Sequence, residues 1–355
     1  VQARAKQLAN AMIALGVEDG DVLGSLAWNT QEHFELFYGV SGMGAVLHTI
    51  NPRLFQDQIV YIADHAQDKW IFCDAATLPI AQAIDKRLPT LAGWIFMGPK
   101  AAMANTGLRN AISYETLLAA QSSDFTWPQF DERHASTICY TSGTTGMPKG
   151  VVYTHRATTL SALIMSLADL IGGYQPGSLE VVMPIAPLFH GNGWQMVYTA
   201  PMNGHKLVLP GRNFEADKLL ELINTEGVTV AAAVPTVWLT LLDHVDKTGG
   251  TIAPLRAALI AGSRPPDILI ERLEKQHGVL AAQCWGMTEG LGVGKASIVP
   301  GPPSRPQTEI DKLKRRQGRV GFGTQFRLVD DAGAELPMDG SVAGKLLMRG
   351  HIVAG

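Results

Sequence analysis

Three cysteines in 355 residues, at positions 73, 139 and 284, are too few and too widely spaced for a disulfide framework or a cysteine-built metal site. Reduced thiols in a cytoplasmic protein are the expectation. Charge is scarce too. Charged residues make up 17% of the chain, the net charge is -3, and the densest like-charged run is the short "KLKRR" at 312–316, which reads as a solvated linker. Nothing in that balance recommends nucleic acid or an anionic membrane surface as a partner. Long apolar runs are missing as well: "TLSALIMSLADLIGG" from Thr159 is too short to span a bilayer and carries Asp169. None of the ten histidines shows the spacing of a transition-metal site.

What is present is a large core. At 46% hydrophobic content the chain can bury enough surface for two or three subdomains. Short β-branched or aromatic runs, "VLGSLAW" at 22, "AVLHTI" at 45, "KWIFCD" at 69 and "GWIFMG" at 93, alternate with amphipathic stretches, which predicts parallel sheet with helical crossovers. A second series follows at 181 ("VVMPIAP"), 206 ("KLVLP"), 228 ("VTVAAAVP"), 257 ("AALIAGS") and 280 ("LAAQCWG"). The fold class expected is α/β, with αβ subdomains at 1–130 and 131–298, a proline- and charge-rich linker at 299–317, and a β-rich subdomain at 318–355 marked by turn signals at "DDAG" and "MDG". The opening "VQARAKQLANAMIALG" reads as a helix ended by Gly16 rather than as a signal peptide.

One stretch has little to pack with. "YTSGTTGMPKGV", from Tyr140, combines Gly143 and Gly146 with the hydroxyls of Thr141, Ser142, Thr144 and Thr145 and the cation of Lys149. Ordering such a loop costs ~1–2 kcal/mol per residue in backbone entropy, and a bound polyphosphate is a natural source of the compensating interactions. A Gly/Thr-rich surface turn is the plain alternative. The P-loop pattern fails because Gly150, not Ser or Thr, follows Lys149. "GLGVGK" at 290 fails as a dinucleotide fingerprint, since it lacks the third glycine and the acidic partner.

The loop resembles the phosphate-binding signature of the adenylate-forming superfamily, which holds acyl-CoA synthetases, firefly-type luciferases and peptide-synthetase adenylation domains. Further segments follow in that family's order: "PLFHGNGW" at 187, "AGSRPP" at 261, "WGMTEG" at 285 and "GRVGFGTQFRLVD" at 318. "LHTINPRLFQDQIVYIADHAQDKWIFCD" at 47 and "GVVYTHRATTLSALI" at 150 look most like fatty acyl-CoA synthetases, with methylmercaptopropionate-type ligases near them.

The resemblance implies two stacked αβ subdomains with mostly parallel sheets plus the start of a distorted β-barrel. It also implies a reaction: ATP and a carboxylic acid give acyl-AMP and pyrophosphate, and the acyl group then passes to coenzyme A. ATP, Mg²⁺ and coenzyme A are the cofactors implied, and a small-molecule acid is the substrate. Residues 141–146 and Lys149 would hold the β- and γ-phosphates, with Thr141 and Glu289 on Mg²⁺. Gly262, Ser263, Gln283, Cys284, Trp285, Gly286 and Thr288 would surround the adenosine. His190 and Trp194 would gate an acyl tunnel bounded by Gly191, Asn192, Gly193, Val234, Pro235, Thr236 and Trp238. Lys149, His190, Thr288 and Glu289 are the catalytic set.

Arg264 in "AGSRPP" departs from the commoner small-residue pattern and leaves the detail of the adenine contact open. Without the motif, Glu289 would be an ordinary solvated acid, Trp285 a core aromatic and His190 a satisfied structural histidine. Transfer to a carrier protein, activation of an aryl or short-chain acid, and a non-catalytic nucleotide-binding role are the alternatives. A homodimer is compatible with the family. The resemblance further implies a ribose-binding Thr-Gly-Asp segment, a hinge and a mobile C-terminal domain beyond residue 355, so the chain reads as the large domain of a longer enzyme and as poorly active by itself.

Overall fold

The computed structural model describes residues 1–141, 147–166, 179–294, 305–318 and 320–354, with backbone alone for 104–105 and 292–294. Two compact units share the chain, which passes between them repeatedly. The first holds residues 1–155, 183–197 and 207–215; the second holds 156–182, 198–206 and 216–355.

The first unit is built on seven strands in the order β5-β4-β3-β1-β2-β6-β7. These are β1 (Val22–Leu26), β2 (Val46–Thr49), β3 (Trp70–Asp74), β4 (Gly93–Met97), β5 (Ile112–Ser113), β6 (Ala135–Thr141) and β7 (Lys149–Thr154). All neighbours pair in parallel except β6 and β7. β3 and β4 are buried at every residue, as apolar runs are when a parallel sheet is covered on both faces. Ile71, Cys73, Trp94 and Phe96 share one core with Ile59 and Ile62 of α3 (Gln56–Ala66) and Ile84 of α4 (Leu78–Ile84). Elsewhere α1 (Gln2–Ala14) packs on α2 (Gln31–Gly42) and α5 (Tyr114–Ala119). Thr30 starts α2 by accepting the His33 backbone N–H at 3.2 Å. β6 and β7 lie past the boundary expected near 130 and join the first sheet, β6 beside β2.

The second unit carries a sheet ordered β12-β11-β10-β8-β9. The strands of that sheet are β8 (Val181–Pro184), β9 (Lys206–Leu207), β10 (Val230–Ala233), β11 (Ala257–Ile260) and β12 (Leu280–Gln283), of which residues 183, 184 and 207 fall in the first unit, and β10, β11 and β12 run parallel. Two antiparallel pairs follow: β13 (Trp285–Met287) with β14 (Gly290–Gly294), and β15 (Thr324–Val329) with β16 (Lys345–Gly350). Helices of this unit include α6 (His155–Ser166), α7 (Ala216–Glu226), α8 (Pro235–Thr248) and α9 (Asp267–Glu271), the last running into a π-helical turn, Arg272–Gln276. Arg272 in that turn reaches Asp243 and Asp246 of α8, each at 2.8 Å.

The glycine run at 290 that imitates a nucleotide fingerprint is therefore a strand. The stretch 299–317, expected as a linker, contains α10 (Gln307–Lys314), and part of "KLKRR" is paired: Lys314 with Glu274 at 2.8 Å and Arg315 with Asp267. The architecture is the mixed α/β one that the strand alternation predicts.

Candidate active site

In the first unit, β6 and β7 form an antiparallel pair in which Thr141, at the carboxyl end of β6, faces Lys149. Open α/β sheets bind ligands at the carboxyl ends of their parallel strands. Ser142, Gly143, Thr144, Thr145 and Gly146 lie outside the described residues. This end of the strand pair is locked: the Tyr140 ring lies against Gly150, where a Cβ would come within 3.1 Å, and its hydroxyl meets His65 Nδ1 at 2.8 Å. Lys149 is exposed, and its ammonium makes no ion pair among the described residues.

The segment after His190 has unusual backbone. Gly191, Asn192, Gly193, Trp194 and Gln195 have φ of 49°, 44°, 60°, 51° and 63°, a complete left-handed turn. For residues with a Cβ this conformation costs roughly 1–2 kcal/mol each, so other contacts must hold it. Asn192 supplies them. Fully buried, it donates to Thr137 Oγ1, and its Oδ1 accepts from Cys139 Sγ at 3.1 Å and Thr49 Oγ1 at 3.4 Å, which ties the turn to β2 and β6. A Cβ on Gly193 would lie 2.7 Å from Leu188 Cδ2. The His190 ring keeps an exposed edge, yet the packed turn removes enough of its water to lower its pKa, which favours neutral imidazole. Burial likewise raises the Cys139 thiol, making it an inert hydrogen-bond donor. At the ends of β1 and β2, the exposed Arg53 guanidinium lies 5.2 Å from the Trp28 ring and 5.7 Å from Phe214.

In the second unit the register does the positioning. Ala233 pairs with Ile260 and Ile260 with Gln283, so β10, β11 and β12 end together. Val234–Trp238, Gly262–Ser263 and Gln283–Glu289 therefore emerge side by side at three adjacent carboxyl ends. Gly262 turns the chain with φ 87°. The Cys284 N–H donates to the Ile260 carbonyl at 2.8 Å and extends the alignment one residue further. Thr288 and Glu289 form the two-residue turn between β13 and β14, since Met287 faces Gly290. The Glu289 backbone carbonyl accepts from the Ala354 N–H at 2.8 Å, leaving its exposed carboxylate at the hairpin tip.

A family described as AMP-binding enzyme matches residues 1–355. The chain belongs to it. Among curated relatives, this AMP-binding enzyme is 42% identical over 354 residues to a 3-methylmercaptopropionyl-CoA ligase of Ruegeria lacuscaerulensis, covering 99% of this chain and 65% of that one. It is 38% identical over 355 residues to a medium-chain-fatty-acid–CoA ligase of Ectopseudomonas oleovorans, covering 99% and 64%. Its fold matches the crystal structure of the anthranilate CoA ligase AuaEII in complex with anthranoyl-AMP, with a TM-score of 0.85 at 23% identity, over 99% of this chain and 64% of that chain. The chain thus spans less than two thirds of the length of these relatives.

Within the AMP-binding enzyme, the first unit holds Thr141 and Lys149 on the β6–β7 hairpin and the turn His190–Trp194, which follows β8 in the chain and is bonded through Asn192 to β2 and β6. The second brings together Val234, Pro235, Thr236, Gly262, Ser263 and residues 283–289. Trp238 is deeper than a pocket wall need be: fully buried, it donates its indole N–H to the Leu259 carbonyl at 3.3 Å. Gln283 is 2% exposed, and both of its amide atoms lack a partner among the described residues. Sequence reasoning missed Gln195, which is 1% exposed with Nε2 and Oε1 also unpartnered. Nothing in the sequence marks it, because its burial follows from the left-handed turn. Among the described residues no helix is long and apolar enough to cross a membrane, and no group of three or more His, Cys, Asp or Glu side chains could hold a metal.

Proposed function

We propose that the chain carries the nucleotide and acyl sites of an acid–thiol ligase, which joins a carboxylic acid to AMP and passes the acyl group to coenzyme A. The observation that supports this most is the alignment of three motif segments at the ends of β10, β11 and β12, with the orphaned Gln283 amide beside them. A buried amide without a partner favours a ligand edge rich in donors and acceptors, and a purine has one. Trp285, half-buried and edge-on to Phe326 at 5.9 Å, offers a ring face to stack on the base. Gly262, Ser263, Cys284, Gly286 and Thr288 complete the adenosine surroundings.

The acid is already ionised near neutral pH, so the first step needs charge neutralised more than protons moved. Residues 141–146 and Lys149 take the β- and γ-phosphates, and Lys149 follows the departing pyrophosphate. Glu289 and Thr141 would hold Mg²⁺, which suits an ion that takes few protein oxygens and completes its shell with phosphate and water. When bound, that ion supplies positive charge to the phosphate oxygens. Neutral His190 can donate a hydrogen bond to the carboxylate or α-phosphate without fixing either as a salt. Trp194 is assigned the gate of the acyl chain, and Gly191, Asn192, Gly193, Val234, Pro235 and Thr236 are assigned its lining. The two named relatives favour an aliphatic acid, and a medium- or long-chain fatty acid is the substrate we assign.

ATP–pyrophosphate exchange over acids from propionate to palmitate, with aryl acids alongside, tests this reading, and coenzyme A trapping tests the acceptor. Exchange with at least one aliphatic acid, lost in Lys149→Ala and Glu289→Gln, is expected. Binding of ATP with no exchange for any acid, even in the presence of whatever longer chain the protein has, would leave a nucleotide-binding domain instead.

A further inference from the structure

Gln195 follows Trp194 directly and closes the left-handed turn; it is buried to 1% exposure, and its amide has no partner among the described residues. A fully buried amide left unpaired costs about 1–3 kcal/mol, and native proteins rarely keep one without a partner such as water or a ligand. The backbone adds a second observation. Gln195 adopts φ 63° with a Cβ present, and this left-handed conformation, which closes the turn, fixes the direction in which its side chain leaves the backbone. Asn192, three residues earlier, shows the contrast: its amide oxygen takes two protein donors and its nitrogen gives to a third group. Two amides share one strained turn, and only one of them is satisfied by the protein.

We infer that Gln195 is a specificity-determining residue whose amide receives an oxygen-bearing group on the acyl chain, so that among fatty acids the hydroxylated or oxo-substituted ones are preferred to the unsubstituted chain of the same length. The inference rests on the reading of the His190–Trp194 turn as the acyl gate. A plain alkyl chain beside Gln195 would keep water away and leave the amide unpaired. A hydroxyl can both donate to Oε1 and accept from Nε2; a ketone can accept from Nε2. A site built to hydrogen-bond its substrate discriminates against the analogue lacking the group far more strongly than an apolar site distinguishes one methylene.

The test is binding of non-hydrolysable N-acylsulfamoyl adenosines to this chain, measured by titration calorimetry. The acyl groups are hexanoyl, ω-hydroxyhexanoyl, its positional isomers and the matching oxohexanoyl forms. At least one oxygenated analogue is expected to bind about tenfold more tightly than hexanoyl. In Gln195→Met, which is unbranched and close in volume, that preference should vanish while hexanoyl binds at least as well. Equal binding of hexanoyl and every oxygenated analogue would overturn the inference, as would a preference that survives in Gln195→Met. If the variant fails to fold, the ranking by the wild-type chain alone decides. Failure of every analogue to bind would instead overturn the adenylate-site reading beneath it.

Discussion

The two units hold their candidate site residues by opposite means. In the second, three segments are aligned by the register of parallel strands, and Gly262 is the only position in those segments with positive φ. Apolar burial and ladder hydrogen bonds hold them, and these are spread over many residues. In the first unit the turn Gly191–Gln195 runs against backbone preference, and one buried side chain, Asn192, carries its attachment to the strands. The lesson is about concentration. A site placed by register should fail only when the core fails, whereas a site placed by a strained turn should fail at a single polar group.

The largest expected effect tests the register side. Trp238 is among the largest fully buried side chains and donates to Leu259, inside β11. Trp238→Ala should cost about 4 kcal/mol in chemical unfolding, a core-cavity effect. A loss under about 1 kcal/mol would show that the tryptophan fills open space rather than core. Next in size is a pH effect in the first unit. Burial lowers the pKa of His33 from its ordinary value of 6.5 to about 4, against its bond to the Trp28 carbonyl at 2.9 Å and the charge of Asp74, both of which favour the protonated ring. A histidine depressed in the folded state is protonated first in the unfolded chain. Its contribution is thus complete above pH 6.5 and is lost as pH falls toward about 4. The loss should approach about 3 kcal/mol across that window, and His33→Gln should flatten that part of the stability–pH curve.

The same contrast governs what could be read in advance. The strands β1 to β4 and β8 to β12 stand out in the sequence because a short apolar run between amphipathic stretches is the pattern a strand buried on both faces requires. Their shared register then places Gly262 and Gln283 with no further information. The family resemblance supplied His190 and Trp194 as neighbours. It could not supply the left-handed turn, since nothing local to "HGNGWQ" says that Asn192 will find Thr137, Cys139 and Thr49, which are distant in sequence and meet only when β2 and β6 pair. Gln195 is invisible for the same reason. The β13–β14 hairpin was obscured differently: a run of glycines in "GLGVG" lacks the side chains by which strands are recognised, and its pairing comes from the backbone alone.

The turn itself offers the third effect. Asn192→Ala should cost about 2 kcal/mol, because the turn loses its bonds to the buried Thr137, Cys139 and Thr49 side chains and Thr137 loses its amide donor. Asn192→Gly separates the two contributions. It relieves the backbone penalty of φ 44° but removes the same bonds, so it should recover part of the loss without restoring the wild-type value. Full recovery by glycine would mean that backbone relief, not the polar network, decides the turn.

The smallest effect belongs to the other unit. Gly262→Ala places a Cβ at φ 87°, with an expected cost of about 1 kcal/mol in unfolding. Because the three neighbouring strands fix where the chain leaves the sheet, that cost should stay local. Amide exchange in β10, β11 and β12 should be unchanged, and only the turn after β11 should loosen. If exchange rises along all three strands, register alone does not hold the segments, and the glycine turn is part of what aligns them. The second unit would then depend on a special backbone position, as the first one does.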